Sequence, residues 1–262
     1  MDRETIIQLF DDELSRRTAA VILDHATRAE QKRKMQLTDF LDPFQQRTAD
    51  KVMHYFKGLK QVSWGGYASA ERVRVLVFPA EEQLSTADVP LAYAAITLSA
   101  SDAGITHRDY LGALLALGLR REKIGDIIVL PDGAAQVVLH PEIISYVLAN
   151  LQKVGKYNAR VEEVTAESLT IPAGRTREIM TTVASLRLDA VAGSGFGVSR
   201  SKMVPVIRAG HVKVNWQSAK NAGMAVKAGD VISVAGRGRI EIAEILGESK
   251  KGRIRLLLKK HF

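Results

Sequence analysis

The positive charge of this chain is crowded into its last third. Residues 1–170 hold 20 Lys and Arg against 23 Asp and Glu, a net of −3; residues 171–262 hold 17 against 6, a net of +11, and the two give the overall +8. A segment of that charge folds against its own repulsion unless a polyanion neutralises it, and nucleic acid or an anionic membrane surface are the usual polyanions. The basicity therefore belongs to one module. A length of 262 residues favours two domains over one, and 46% hydrophobic with 25% charged residues describes a folded chain, which excludes wholesale disorder, collagen and coiled coil.

Other function classes fall away on composition. No apolar run reaches about 18 residues, so no segment is expected to span a bilayer. Asp2, Glu4, Asp11, Asp12 and Glu13 are wrong for a secretory or transit leader, and a cytoplasmic protein is expected. Without cysteine there is no disulfide, thiol nucleophile or zinc ribbon. The six histidines, at 25, 54, 107, 140, 211 and 261, make no metal spacing, and no phosphate-cradling G-x-x-x-x-G-K-S/T loop occurs, so no cofactor is expected.

Hydrophobic periodicity divides the chain into an α+β protein. From 1 to 60 the pattern is helical, clearest where Asp42-Pro43 supplies an N-cap and a first-turn proline ahead of Phe44, Val52, Met53 and Phe56, with Gly58 as the stop. The bases of 28–34 read as a solvated helix face. Over 61–168 strands alternate with helices. Residues 72–78 and 91–99 read as strands, and Thr106-His107-Arg108-Asp109 is a helix start. A hairpin of 127–130 with 135–139 turns on Pro131-Asp132-Gly133, a helix opens at Pro141, and 160–164 is a last strand. The order β-α-β-β-α-β from Leu91 predicts a ferredoxin-like, RRM-like domain. Its central strands carry no aromatic residue to stack bases, which favours a scaffold or protein-contact role. Trp64-Gly65-Gly66-Tyr67 offers a ligand loop or, as a glycine pair beside aromatics more often does, a tight turn, and 169–184, with Gly174-Arg175-Thr176-Arg177, reads as a basic linker.

Residues 185–262 are the basic domain. Arg187-Leu188-Asp189 opens a short helix with Leu188, Val191 and Ala192 at core spacing. Ser199 caps a second helix on which Arg200, Val204 and Arg208 share a flank, and Pro205 predicts a kink there. His211-Val212-Lys213-Val214-Asn215 alternates, so His211 and Lys213 oppose the two valines. Gly229-Asp230 then leads into 231–234. Strands over 240–245 and 254–258 would form a basic β-hairpin with Lys250 and Lys251 at its tip, either entering an RNA groove or guarding an exposed edge.

These residues resemble the ribosomal-protein-S4-type αL RNA-binding domain, whose pattern runs R-L-D, S-R, G-x-V-x-V-N and G-D-x-I. Trp216 departs from it by standing at a turn glycine, and Pro205 by interrupting the second helix. Gly65-Gly66-Tyr67 with Ala70-Glu71-Arg72, and Thr106 through Asp109 with Arg121-Glu122-Lys123-Ile124-Gly125-Asp126, extend the resemblance to YlmH-like proteins over nearly the whole chain. The alanine-rich style is similar to the photosystem II S4-domain proteins of oxygenic phototrophs. A monomer is expected, and the resemblance implies an RNA-binding protein acting on structured RNA, rRNA and tRNA, of a large ribosomal subunit carrying obstructed peptidyl-tRNA in ribosome-associated quality control. On that reading Arg187, Ser199, Arg200, Lys202, Arg208, His211, Lys213, Asn215, Lys250 and Lys251 bind RNA; Ser199 as a mere cap, and Arg187 and Asp189 as a mere pair, are the bland alternatives.

Two rival functions have their own features. Pseudouridine synthases also carry S4-type domains and use an Arg-Leu-Asp signature, but Ala190-Val191-Ala192-Gly193 does not continue it, and no separate catalytic domain precedes it. A membrane-surface or photosystem assembly adaptor would need only the charge of the basic domain, and no amphipathic helix with an exposed aromatic face accompanies it.

Overall fold

The computed structural model describes residues 2–99, 104–171 and 176–261, and the chain divides into two compact units, Met1–Pro172 and Ala173–Phe262. Unit one opens with α1 (Arg3–Gln8) and α2 (Glu13–Lys32), capped by the Asp2 and Asp12 side chains. It continues with β1 (Gln36–Leu41), α3 (Pro43–Met53), β2 (Leu59–Trp64) and β3 (Val73–Pro79). The capping box of Asp42 and Gln45 starts α3 as the sequence indicated, while the helix stops at Met53, ahead of Gly58.

The N-terminal region is not all helical. β1 pairs with β3 and β3 with β2 in an antiparallel sheet, so the first layer draws strands from beyond residue 60. Ala19, Ile22 and Ala26 of α2 and Val52 of α3 cover one face of that sheet through Val73, Val75 and Val77. Leu76 and Phe78 point to the other face, where Val89 and Trp64 bury them, which is why every residue of β3 is buried.

The rest of unit one is β4 (Ala92–Leu98), α4 (His107–Ala116), β5 (Ile124–Val129), β6 (Ala135–Leu139), α5 (Ile144–Asn150), β7 (Lys153–Val154) and β8 (Tyr157–Val164). The sheet runs β5-β6-β4-β8-β7, all antiparallel. Both helices pack on one face, burying Tyr110, Leu114 and Val147 against Ala94, Ile96 and Val137. Gln136 and Val138 on the opposite face are buried too. Gln136 Nε2 donates to Ser168 O at 2.9 Å, and Thr170 N donates to Gln136 Oε1 at 2.7 Å.

The first sheet leans on that same face. A Cβ at Gly125 would sit 2.8 Å from the Phe40 ring, and one at Gly65 2.2 Å from Arg72 O, so the glycine pair after Trp64 is a tight structural turn. Asp126 accepts from Tyr67 Oη (2.7 Å), Glu71 N (2.7 Å) and Arg72 N (3.1 Å). Buried Arg74 of β3 donates to Thr38 O, Pro90 O and His140 Nε2. The YlmH-like motif residues of 65–72 and 121–126 are thus the clamp between the two layers.

Unit two consists of β9 (Thr176–Val183), α6 (Leu188–Gly195), α7 (Arg200–Arg208), β10 (Val212–Val214), β11 (Gln217–Ser218), β12 (Val231–Val234), β13 (Gly238–Glu248) and β14 (Ile254–His261). Its antiparallel sheet runs β11-β10-β12-β13-β14-β9. The supposed linker 169–184 therefore ends in an edge strand, β9, paired along its length with β14; Gly174 and Arg175 lie outside the described residues. Alternation drives the pairing, since Ile179 and Val183 face the core while Met180 and Thr182 face outward.

Leu188, Val191, Met203 and Ile207 of the two helices pack onto Val212, Ile232, Ile240 and Leu258. A Cβ at Gly195 would fall 2.4 Å from Ile240 Cδ1, so glycine is what lets α6 lie this close to the sheet. α7 continues through Pro205 to Arg208. At the sixth helical position the proline removes one interior backbone donor, a cost that the burial of Met203 and Ile207 offsets.

Candidate nucleic-acid interface

Arg187 is the N-cap residue of α6, and Asp189 lies in the first turn. The Asp189 side chain is 2% exposed, yet it accepts from Arg187 Nε (3.2 Å) and Nη2 (3.0 Å) and forms an ion pair with Arg200 Nε at 3.0 Å. Burial pushes the Asp189 pKa up, but the hydrogen bonds and charges of Arg187 and Arg200 outweigh it and hold the pKa below the ordinary carboxylate value. The Arg187 guanidinium also lies over Gly223, where a Cβ would come within 3.1 Å. Asp189 thereby fixes both arginines at the junction of α6 and α7.

Ser199 accepts from Lys202 N at 3.4 Å, the cap read from the sequence. Asn215, expected to contact RNA, is tied within the protein. Its Nδ2 donates to Asp230 Oδ1 at 2.8 Å, its Oδ1 accepts from Val231 N at 3.0 Å, and Asp230 Oδ2 also accepts from Lys227 N at 2.8 Å. Asn215 and Trp216 form the two-residue loop between β10 and β11 with φ of +51° and +68°. Positive φ at both positions is the hairpin geometry that asparagine tolerates and glycine prefers. A tryptophan held there costs roughly 1 kcal/mol against glycine, so the departure changes the residue and keeps the turn.

The outward cations are Lys202 and Arg208 on α7, His211 beyond it, and Lys213 on β10, all exposed. Arg200 joins them, 54% exposed beyond its Asp189 contact. Lys213 pairs with Ser233, Ser233 with Arg239, and Arg239 with His261, so these residues form one row on the sheet face away from the helices. Arg239, one of the bases around the C-terminal hairpin strands, enters this row only through strand register, with Ser233 between it and Lys213. Lys250 and Lys251 do occupy the exposed tip between β13 and β14, closed by Gly252 N donating to Ser249 O. Nine residues of β13 separate the Lys213 row from that end, roughly 30 Å of strand, so the tip is a separate patch.

Among the described residues no group of three or more His, Cys, Asp or Glu could hold a metal ion, and no helix is long and apolar enough to cross a membrane.

Two helices packed on one face of a sheet, with the flank of the second helix and a following strand studded with cations, define an S4-domain protein of the RNA-binding class. Residues 186–232 match the S4 domain family, residues 15–82 the N-terminal domain of YlmH, and residues 85–168 the putative RNA-binding domain in YlmH. The chain is 34% identical over 230 residues to ribosome-associated protein quality control protein P2 of Bacillus subtilis (strain 168), covering 87% of this chain and 88% of that protein. The chain belongs to the YlmH family. It is also 43% identical over 70 residues to the small ribosomal subunit protein uS4 of Acidithiobacillus ferrooxidans, 26% of this chain and 34% of that one. The solved cell division protein ylmH from Streptococcus pneumoniae shares the fold over 62% of this chain and 98% of its own, with a TM-score of 0.52 and 24% identity.

Proposed function

We propose that the protein is a non-enzymatic, ribosome-associated factor of the cytoplasm. Unit two grips structured RNA, rRNA and tRNA, on the large subunit in a quality-control role. The relationship to protein P2 over nearly the full length of both chains carries this reading. The segregated charge supports it, since the unit matched to the S4 family is the one that holds the net +11.

Arg200, Lys202, Arg208, His211 and Lys213 are the RNA contacts in this account, with Arg239 joining Lys213 across Ser233 on the sheet face away from the helices. Guanidinium groups suit phosphate because their forked donors reach two oxygens at once. Arg187, Ser199 and Asn215 act by holding the surface in shape, while Lys250 and Lys251 form a second, independent phosphate contact. The Asp189 carboxylate, buried under two guanidinium groups, is placed to organise cations, and that supports a non-enzymatic role over the pseudouridine-synthase-like one. The antiparallel order β5-β6-β4-β8 supports a ferredoxin-like reading of the middle layer.

The test is the salt dependence of binding to purified rRNA. Each phosphate contact on duplex RNA contributes a log–log slope near the ~0.9 known for duplex DNA. Arg208→Ala with Lys213→Ala lowers the slope by about two contacts and weakens binding at every salt concentration. An unchanged slope contradicts the assignment, and pelleting with anionic liposomes in place of rRNA binding returns the membrane-adaptor reading.

A further inference from the structure

In unit one, α4 faces the turn between α5 and β7 across a groove of about 580 Å³, within the size range of small-ligand sites. Gly112 stands on its α4 wall, in mid-helix, where glycine weakens a helix. A Cβ at Gly112 would meet nothing within 4 Å, and its φ is not positive, so neither packing nor backbone geometry accounts for the glycine. What the missing side chain leaves is room in the groove.

The charge of the walls says what fits there. Arg108 and Lys153 stand in the lining, neither in an ion pair with a described residue, although the charge of Arg108 also acts on the neighbouring Asp109 carboxylate. Asp109 also lines the groove, but its Oδ2 accepts from Thr106 N (2.8 Å) and Thr106 Oγ1 (2.7 Å) and is turned to the helix cap. Asn150 and Gln152 also line the groove, with Asn150 Nδ2 donating to Tyr146 O at 2.8 Å. The opposite, sheet face of this layer, where an RNA-recognition domain stacks bases, is covered by residues 168–170 and by Phe40.

We propose that this groove binds one nucleotide of a single-stranded RNA, its phosphate on Arg108 and Lys153 and its base in the space left by Gly112. The proposal rests on the reading of the protein as RNA-binding and adds a second site, on the helix side of the middle layer.

The experiment uses the full chain, a mixed-sequence decaribonucleotide and hydrogen exchange read by peptide. In the Arg208→Ala/Lys213→Ala background, which weakens the unit-two contacts, the oligonucleotide slows exchange in 107–116 and 150–156. Adding Gly112→Leu, which fills the groove and favours the helix, removes that slowing and weakens the remaining binding about tenfold, the change equivalent to 1.4 kcal/mol. Absent slowing, or slowing that survives Gly112→Leu in a protein of wild-type melting temperature, overturns the proposal. So does slowing by free adenosine monophosphate at equal nucleotide concentration without slowing by the oligonucleotide. Structured rRNA binding by the otherwise wild-type Gly112→Leu protein reports on unit two alone, so failure of the groove and failure of the S4 reading are separately visible.

Discussion

The Nε of Arg200 stands 3.0 Å from Oδ2 of Asp189, a half-exposed guanidinium held by a carboxylate that is only 2% exposed. Asp189→Asn keeps the volume and loses the charge, and it is expected to destabilise unit two by about 1–3 kcal/mol, because a charge-assisted network becomes a neutral one. The folded-state pKa lies below 3.8, so the carboxylate contributes its full stabilisation above about pH 4 and loses it as pH falls through the lowered value. Acid melts of wild type and Asp189→Asn should converge below that range, and parallel curves would contradict the account.

Asn215 and Asp230 make a structural staple. Asn215→Ala loses two side-chain hydrogen bonds and the asparagine tolerance for left-handed φ, and is expected to cost about 1–3 kcal/mol. At temperatures where the variant is folded, its rRNA affinity should match wild type. An affinity loss without a stability loss would return Asn215 to the RNA surface.

Burial together with the charges of Arg74 and Lys123 lowers the pKa of His140 below 6.5. Between the lowered value and 6.5 the unfolded chain binds more protons than the folded one, so stability rises with pH through that window. The contribution is complete above 6.5 and lost as pH falls. Denaturant melts of wild type and His140→Gln on either side of pH 6.5 test this, with the difference between them shrinking on the acid side.

Asp126 receives three donors from the 67–72 loop. Removing the carboxylate as Asp126→Ala orphans them in a part-buried site, and a loss of about 2–4 kcal/mol is expected from unit one with unit two unchanged. Hydrogen exchange resolves the two, since only amides of unit one should speed up.

Lys250 and Lys251 lie roughly 30 Å along β13 from the Lys213 row, so substitutions at the two places should add in binding free energy. A double-mutant cycle of Lys250→Ala/Lys251→Ala against Lys213→Ala measures this, and a large coupling would mean that a single RNA feature bridges both.

Parts of the fold whose signals are local were legible in the sequence. Asp42-Pro43, Thr106 through Asp109 and Pro131-Asp132-Gly133 act through side chains on backbone a few residues away, and each forms as read. β1 escaped because six residues between two strong helices carry no turn signal of their own. β9 escaped because its polar start reads as a linker and its partner β14 lies at the far end of the chain. The outward cations of α7 and β10 followed from helical and strand period. Their internal ties did not, since Asn215 meets Asp230 across 15 residues and Arg200 meets Asp189 around a helix–helix corner.

The most direct test of the central claim is co-sedimentation of the full chain with separated ribosomal subunits across a salt series, wild type beside Arg208→Ala/Lys213→Ala. The account predicts that wild type pellets with the large subunit at near-physiological salt and that the variant is released at lower salt. Absence from the large-subunit pellet, or equal retention of the two proteins at every salt concentration, would contradict it.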